Sequence, residues 1–268
     1  METVILSSKQ NERIKSIKRL YKRKVRDQEQ LMLAEGIRLV EELVKTHLLT
    51  QVFYAKRLTQ NSRGMQLLTL LEGKNIPLFF CSDPVFNEVS DTDTAQGIVA
   101  VAKRPQPTAD WNRSQCDLIL IVDQVQDPGN LGTIIRTAAG AGVTGLWITK
   151  GTVDSFSPKV VRASMGAMFQ IPYMIATGSD CIRICRTLGY KLVVTDVQRG
   201  RIHYQCDLRG SIVLVVGNEG HGVSNLFLQE ADERLLIPLT NSVESLNVSV
   251  ATGILLYESM RQRYLQEL

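Results

Sequence analysis

Three segments in the C-terminal half of the chain combine glycines with polar side chains in patterns that could bind a ligand. They run from Asp123 to Arg136, from Gly217 to Gly222, and from Pro238 to Asn247. Glycines permit positive φ angles and close approach of the backbone, so main-chain N–H and C=O groups can contact a ligand directly. The polar side chains could add hydrogen bonds or proton transfer. A plain strand-to-helix turn is the alternative explanation for the second segment.

Each of these segments follows an apolar run that predicts a buried strand. The run at 212–216, Ile-Val-Leu-Val-Val, has the continuous apolar character of a strand covered on both faces in a parallel sheet. Ligands bind outside the carboxyl ends of such strands, which is where these segments lie. The predicted strands are 118–122, 145–149, 171–174, 191–195, 212–216 and 235–237, and the predicted helices are 131–139, 159–165, 179–188 and a long stretch from about 248.

The N-terminal half predicts a smaller α/β domain. A basic helix and a second helix around 37–44 precede strands at 52–55, 76–80 and 98–102, with helices at 65–71 and 84–89. The stretch 104–110 carries two prolines and little apolar content, which is typical of a linker. We therefore predict a first domain at 1–105, a linker at 106–115 and a second domain at 116–268.

The net charge of +4 is distributed unevenly, because residues 9–26 alone carry +8. Such a concentration favours a polyanion, since each neutralised phosphate releases condensed counterions. Ile14, Ile17, Tyr21 and Val25 recur at helical spacing and predict one helix with the cations spread around an apolar seam. A solvated helix face is the alternative. The candidate contacts to a polyanion are Lys9, Arg13, Lys18, Lys22, Arg23 and Lys24.

Cysteine and histidine content argues against a metal site or a disulfide framework. The chain has three histidines and five cysteines, with no C-x-x-C pair: Cys81, Cys116, Cys181, Cys185 and Cys206. No stretch approaches the roughly 20 uncharged apolar residues that span a bilayer, and the N-terminus lacks the order of a signal peptide. We therefore expect a cytoplasmic protein that uses neither a metal nor a membrane.

Taken together, the three C-terminal segments resemble the three signature motifs of the SpoU family, also called the TrmH family, of RNA ribose 2'-O-methyltransferases. The first motif is Asp-Pro-Gly-Asn-Leu-Gly-Thr-Ile-Ile-Arg at 127–136, and the second is Val-Gly-Asn-Glu-Gly-His-Gly-Val at 216–223. The third comprises Ile-Pro-Leu at 237–239 and Glu-Ser-Leu-Asn-Val-Ser-Val at 244–250. Their order and spacing agree over roughly 117–262, while residues 8–36 resemble more loosely the L30e-like RNA-binding domain of many members.

The resemblance implies S-adenosylmethionine (SAM) as cofactor and assigns roles to individual residues. Its catalytic arginine corresponds to Arg136, and the other candidate catalytic residues are Asn130, Glu219, Ser245 and Asn247. Helix capping is an alternative role for Asn130 and for the pair Ser245 and Asn247, and an ion pair with a distant arginine is one for Glu219. The family's cofactor contacts are largely main-chain and fall at Gly217, Ile237 and Leu246, to which we add Asn218, Gly220 and Leu239.

The implied fold is a knotted (trefoil) parallel-sheet α/β methyltransferase domain of the SPOUT superfamily, with a smaller N-terminal α/β L30e-like domain that binds RNA. The family also implies a homodimer, and the basic N-terminal domain favours ribosomal RNA over transfer RNA. A different-class alternative is a catalytically silent RNA-binding protein that assists ribosome assembly. A nucleotide-dependent oxidoreductase is disfavoured, because the G-x-G-x-x-G match at Gly140, Gly142 and Gly145 follows a helix and precedes a strand.

The implied reaction poses one chemical difficulty, which is that a ribose hydroxyl is a very weak acid. A base or a strong electrostatic field must therefore assist its attack on the methyl group. The family's proposal of arginine as base conflicts with a guanidinium group that stays protonated at ordinary pH. We expect Arg136 to clamp the phosphate next to the target ribose, with proton removal by Glu219 or by water.

Overall fold

The computed structural model describes residues 4–92, 94–108, 111, 117–240 and 244–264. Most of the predicted linker, together with Cys116, lies outside these residues. The chain forms two compact units, each built from two stretches of sequence. The first unit comprises Met1–Gln106 and Asp154–Phe169, and the second comprises Pro107–Val153 and Gln170–Leu268.

The first unit is built on a mixed five-stranded sheet of order β1-β4-β3-β5-β2, in which β5 is antiparallel to both of its neighbours. Two of its strands, β1 and β2, were not predicted from the sequence. Its elements are β1 (Val4–Leu6), α1 (Glu12–Leu20), α2 (Arg23–Glu29), β2 (Leu31–Glu35), α3 (Ile37–Val44), β3 (Leu49–Ala55), α4 (Lys56–Thr59), α5 (Ser62–Gly73), β4 (Leu78–Cys81), α6 (Asp83–Phe86) and β5 (Ile98–Lys103).

The basic segment forms two helices, whereas the sequence predicted a single one. Asn11 caps α1 through its side chain, and Ile14 and Ile17 are fully buried beneath it. The chain then becomes extended at Lys22, with φ −86° and ψ 124°, and α2 starts one residue later. This break allows the side chain of Arg26 to be buried, so the cations are not all exposed around a single helix.

A short segment between the two stretches of the second unit packs with the first unit. It contains α8 (Pro158–Ala163), which packs on β2. The sequence predicted an uninterrupted domain at 116–268, so this segment departs from the predicted boundaries. Ion pairs account for part of its attachment, because Arg26 is 3% exposed and pairs with Asp154, while Arg162 lies 3.7 Å from the buried carboxylate of Glu35. Sequence periodicity reports a helix but not the sheet against which it packs.

The second unit is a seven-stranded sheet of order β10-β12-β9-β11-β6-β7-β8, and every pairing in it is parallel. Its elements are β6 (Leu118–Val122), α7 (Pro128–Gly140), β7 (Gly145–Thr149), β8 (Tyr173–Ala176), α9 (Gly178–Thr187), β9 (Lys191–Thr195), β10 (Arg201–Ile202), β11 (Ile212–Val216), α10 (Asn225–Glu230), β12 (Glu233–Leu236) and α11 (Val248–Tyr264). The predicted α/β class and parallel sheet are confirmed, and the trefoil knot stays a prediction.

Strand prediction was most accurate at the centre of this sheet. Every residue of β6, β7 and β11 is buried, as expected for strands that are covered on both faces. Their bounds and those of β9 are the predicted ones. The two-residue strand β10 and the short helix α10 carry too little periodicity to be recognised, and they were missed.

Within the described residues, no helix is long and apolar enough to cross a membrane. Among the same residues, no group of histidine, cysteine, aspartate or glutamate side chains could hold a metal ion. The four described cysteines are free thiols in buried positions, namely Cys81, Cys181, Cys185 and Cys206.

Candidate active site

The carboxyl edge of the seven-stranded sheet brings together the three segments singled out in the sequence. Strands β12, β9, β11 and β6 are neighbours in that order. The three segments follow β6, β11 and β12, so their loops meet at one edge, as the sequence predicts. A fourth loop, which follows β9, lies among them.

A cavity of about 390 Å³ opens at this edge. Its walls come from the loops after β9, β11 and β12 and from the first turns of α11. Apolar side chains such as Leu235 and Leu236 form part of the lining, and backbone of the glycine-rich loop forms another part. All six candidate cofactor contacts line the cavity: Gly217, Asn218, Gly220, Ile237, Leu239 and Leu246.

Gly217 is required by the way the second segment folds back on itself. Asn218 and Gly222 form an antiparallel bridge, with both N–H···O bonds at 2.9 Å. A Cβ atom on Gly217 would lie 2.3 Å from the carbonyl carbon of Gly222 and 2.3 Å from the amide nitrogen of Val223. These are backbone atoms and cannot rotate away, so any larger residue would force the loop open.

The chemistry of the cavity fits SAM. An adenosine ring and a methionine chain need apolar surface together with a few polar groups, and small-molecule sites are usually built in this way. Ile237, Leu239 and Leu246 would supply apolar surface, while the main chain around Gly217 and Asn218 would supply hydrogen bonds. When bound, SAM supplies an activated methyl group on a positively charged sulfur.

Three candidate catalytic side chains form a continuous hydrogen-bonded chain beside the cavity. The amide nitrogen Nδ2 of Asn130 donates to Oε1 of Glu219 at 2.9 Å, and Nδ2 of Asn247 donates to Oδ1 of Asn130 at 2.9 Å. Glu219 itself lines the cavity. Residues from all three sequence motifs are thus linked through two hydrogen bonds.

The two ends of this chain fix the orientation of both asparagines. An ionised carboxylate only accepts hydrogen bonds, so Asn130 must turn its NH₂ group toward Glu219 and its oxygen toward Asn247. At the other end, Oδ1 of Asn247 accepts from the backbone N–H of Ser249 at 2.9 Å and from the hydroxyl of the same residue. Asn247 therefore has only its NH₂ group left for Asn130. The chain has one direction, from α11 to Glu219.

The hydrogen bonds to Glu219 also set its protonation state. Burial alone would raise the pKa of this carboxyl group, but hydrogen bonds from the Asn130 side chain and from backbone N–H groups, among them those of Gln126 and Asp127, lower it below its ordinary value of 4.5. Glu219 is therefore ionised at neutral pH. A carboxylate with a lowered pKa is a weak base, and its hydrogen bonds suit it to hold Asn130 in place.

The structure also decides between capping and other roles for these residues. Asp127 caps α7, because its side chain accepts from the N–H of Asn130 at 2.8 Å, so Asn130 is not the cap. Asn247 does cap α11 in addition to joining the chain. Ser245 lines the cavity instead, and Glu219 makes no ion pair with an arginine among the described residues.

Arg136 stands apart from the hydrogen-bonded chain. It lies on α7 six residues after Asn130, roughly 9 Å along the helix axis. Its side chain is exposed, and neither a hydrogen bond nor an ion pair to it occurs within the part of the chain that the structure describes. A guanidinium group in this state is available to an external anion.

The loop after β9 supplies cavity residues that the sequence analysis missed. Thr195, the last residue of β9, lines the same cavity together with Val197 and Gln198. The signal that could have found them is positional, since they lie at the end of a strand that was predicted correctly. The loop has a single glycine, Gly200, and no glycine cluster, so residue type alone did not point to it.

The candidate RNA-binding cations lie in the first unit and differ in availability. Lys9 and Lys18 both pair with Glu88, and these contacts, led by the Lys18 hydrogen bond, lower the pKa of that carboxyl group to about 2. Arg13 lies over the ring of Phe79, with 4.5 Å between the guanidinium carbon and the ring centroid.

The residues at the start of α2 are the most available part of this basic surface. Lys22 and Lys24 are exposed and form no ion pair with any described residue. Arg23 pairs only loosely with Asp27, at 3.6 Å. Arg26, which contributes to the +8 charge of residues 9–26, is 3% exposed and donates to the carbonyl of Leu20, so it stabilises the fold.

Comparison with known proteins identifies the family of the chain. Residues 117–257 match the SpoU rRNA Methylase family, and residues 11–100 match the MRM3-like substrate binding domain. The 23S rRNA (guanosine(2553)-2'-O)-methyltransferase RlmP of Bacillus subtilis is 34% identical over 252 residues, which cover 94% of this chain and 97% of that protein.

Two similar solved structures contain bound AdoMet, which is SAM. An rRNA methyltransferase from Sinorhizobium meliloti is 30% identical, with a TM-score of 0.86 over 97% of this chain and 98% of that one. The SpoU methyltransferase AviRb from Streptomyces viridochromogenes is 26% identical, with a TM-score of 0.83 over 95% of this chain and 100% of that one. In sequence and in fold, the chain belongs to the SpoU family of SAM-dependent RNA 2'-O-methyltransferases.

Proposed function

We propose that this enzyme methylates a ribose 2'-hydroxyl of ribosomal RNA. The observation that carries the proposal is the hydrogen-bonded chain of Glu219, Asn130 and Asn247 at the wall of a cavity that suits SAM. The similarity to RlmP, a 23S rRNA enzyme, over nearly the full length of both chains supports ribosomal RNA as the substrate class. Transfer RNA is the alternative substrate.

In this reaction, Arg136 holds the phosphate next to the target ribose. An arginine with no hydrogen bond or ion pair to the described residues can form paired, charge-assisted hydrogen bonds with a phosphate, and these fix the position of the neighbouring sugar. Glu219, which lines the cavity, orients Asn130 by accepting a hydrogen bond from its side-chain amide. Because the Glu219 carboxylate already accepts hydrogen bonds from Gln126, Asp127 and Asn130, we assign it to positioning, and we assign removal of the ribose proton to a water molecule that passes it to solvent.

The test is transfer of a labelled methyl group from SAM to purified RNA. Ribosomal RNA and transfer RNA, each taken from cells that lack the gene, are offered separately to the purified protein. We expect label in ribosomal RNA, at a nucleotide that then resists alkaline cleavage on its 3' side. Label confined to transfer RNA would contradict the substrate class. Absence of detectable SAM binding by calorimetry would favour the catalytically silent RNA-binding protein.

The exposed face of α11 supports a homodimer. Val250, Ile254, Tyr257 and Tyr264 are 52%, 36%, 52% and 56% exposed and recur at helical spacing on one stripe. Exposed apolar stripes of this kind mark interaction sites. The opposite face of the helix is buried through Leu255 and Leu256, so the exposed stripe is not needed for the core of the subunit.

We expect the double variant Ile254→Glu with Tyr257→Glu to be a monomer, because two carboxylates would be buried in the subunit contact. Sedimentation equilibrium of the variant and the wild-type protein measures this. Leu226→Glu is the matched control, since Leu226 is also an exposed apolar residue, at 41%, but lies on α10. A wild-type monomer, or dimers in both variants, would contradict the assignment.

The basic surface should bind RNA without affecting the cofactor. Replacing Lys22, Arg23 and Lys24 with glutamine is expected to weaken RNA binding and to lower the slope of log K against log salt by about 2 to 3 units. SAM affinity should stay unchanged. Lys9→Gln with Lys18→Gln is the control with a smaller expected effect, because both lysines already pair with Glu88. An equal loss of SAM affinity would contradict the assignment of RNA binding to the first unit and of SAM binding to the second.

A further inference from the structure

Gln124, the second residue after β6, has a backbone conformation that is rare for its residue type. Its φ angle is +57°, in the left-handed region that favours glycine. Residues held in such conformations tend to lie at ligand sites, where the surrounding structure fixes them. This residue stands four positions before Pro128, in the first of the three segments, and is not among the candidate site residues.

Four hydrogen bonds hold the backbone of Gln124 in this conformation. Its N–H lies 3.1 Å from each of the hydroxyl oxygens of Thr149 and Thr152. Its carbonyl oxygen accepts at 2.9 Å from Nδ2 of Asn218 and at 2.9 Å from Nε2 of Gln126. Asn218 of the loop after β11 and the two threonines at the end of β7 and in the loop that follows it therefore both position Gln124.

The side chain of Gln124 passes Gly151 and lines a cavity. It lies against Gly151, where a Cβ atom would come within 3.4 Å of Cγ and 3.8 Å of Cδ of Gln124. Its terminal amide makes no hydrogen bond to any residue that the structure describes. The side chain is exposed and lines a cavity of about 290 Å³, together with Gln126, Asn218 and His221.

This cavity adjoins the hydrogen-bonded chain. Gln126 lines it, and the backbone N–H of the same residue donates to Oε2 of Glu219 at 3.2 Å. Asn218 lines both this cavity and the one that suits SAM. A group bound here would therefore lie next to a ribose held at the chain of Glu219, Asn130 and Asn247.

We propose that this second cavity receives the base of the nucleotide whose ribose is methylated, and that the Gln124 amide hydrogen-bonds the edge of that base. The proposal rests on the proposed function. A carboxamide presents a donor beside an acceptor, which matches the adjacent donor and acceptor groups on the edge of a nucleobase. Splayed-out bases of RNA are held in this way, and they also stack on rings such as the imidazole of His221.

Two variants distinguish the contribution of the Gln124 side-chain amide from that of its backbone conformation. Gln124→Met keeps the length of the side chain and the backbone cost but removes both hydrogen-bonding groups. Gln124→Gly removes the side chain and suits the left-handed conformation, so its thermal midpoint should be no lower than that of the wild type. Gln30→Gly is the matched control, because Gln30 has φ +53° but lies at the end of α2.

The substrates are four transcripts of the ribosomal RNA region that contains the methylated nucleotide, differing only in the base at that nucleotide. The wild type should prefer the natural base. In both Gln124 variants this preference should fall about tenfold, while SAM affinity measured by calorimetry and the Gln30→Gly preference stay at wild-type values. An unchanged preference in Gln124→Met would overturn the inference. If the wild type methylates none of the transcripts, the proposed function itself fails.

Discussion

Replacement of Arg136 by alanine is expected to reduce methyl transfer about 100-fold or more. The exposed guanidinium group forms no hydrogen bond or ion pair with the described residues, so the free energy of unfolding should change by less than about 0.5 kcal/mol. SAM affinity should also stay at the wild-type value, because Arg136 does not line the cofactor cavity. The loss should therefore appear in turnover and in positioning of RNA.

Arg183→Ala is the matched control for this prediction. Arg183 lies on α9, and its side chain is 68% exposed and, among the described residues, pairs with Asp180 alone. We expect wild-type turnover for the control when transfer is measured with labelled SAM at saturating RNA. An Arg136→Ala protein with near-normal transfer would remove the phosphate clamp from the mechanism.

Replacement of Gly217 by alanine is expected to weaken SAM binding about 10-fold to 100-fold. The new methyl group would lie 2.3 Å from backbone atoms of Gly222 and Val223, which forces the loop to open. Overpacking of this kind costs about 1 to 3 kcal/mol, and here the loop that moves is itself a wall of the cavity. Titration calorimetry with SAM measures the change.

Gly253→Ala is the control for the loss of a glycine in the same unit. Its added Cβ would be 3.6 Å from Cγ2 of Thr137, an ordinary contact, and alanine is favoured within a helix. We expect wild-type SAM affinity and equal or higher stability for this variant. Equal SAM affinity in Gly217→Ala would show that the glycine-rich loop does not shape the cofactor site.

Much of the site was predictable because it depends on parallel strands. Continuous apolar runs such as the one in β11 identify the strands, and the polar residues that follow them then meet at one edge. The motifs therefore placed Asn130, Glu219 and Asn247 near one another without any structure. Their hydrogen-bonded order was not predictable, since it depends on which amide atom faces which partner.

Other features depend on contacts that sequence patterns do not report. The inward turn of Arg26 requires Asp154, which is 128 residues away and was assigned to the other domain. The left-handed conformation of Gln124 depends on the hydroxyl groups of Thr149 and Thr152, so the residue type gave no signal of that conformation. In both cases hydrogen bonds between residues distant in sequence decided the outcome.

The structure reduces the number of possible roles for Glu219. From the sequence, proton removal could fall to Glu219 or to water. The structure gives its carboxylate donors from the backbone of Gln126 and Asp127 and from the Asn130 side chain, and the resulting low pKa suits a residue that positions others. We therefore expect the Glu219→Gln variant to show the same ionisations as the wild type in the pH profile of methyl transfer.

The most direct test of the account is a map of ribose 2'-O-methylation in total RNA from cells without the gene. The deletion strain is complemented with the wild-type gene or with the Arg136→Ala variant. We predict that one ribose methyl group disappears from ribosomal RNA in the deletion, returns with the wild-type gene, and stays absent with Arg136→Ala. An unchanged ribosomal RNA map, or a loss confined to transfer RNA, would contradict the account.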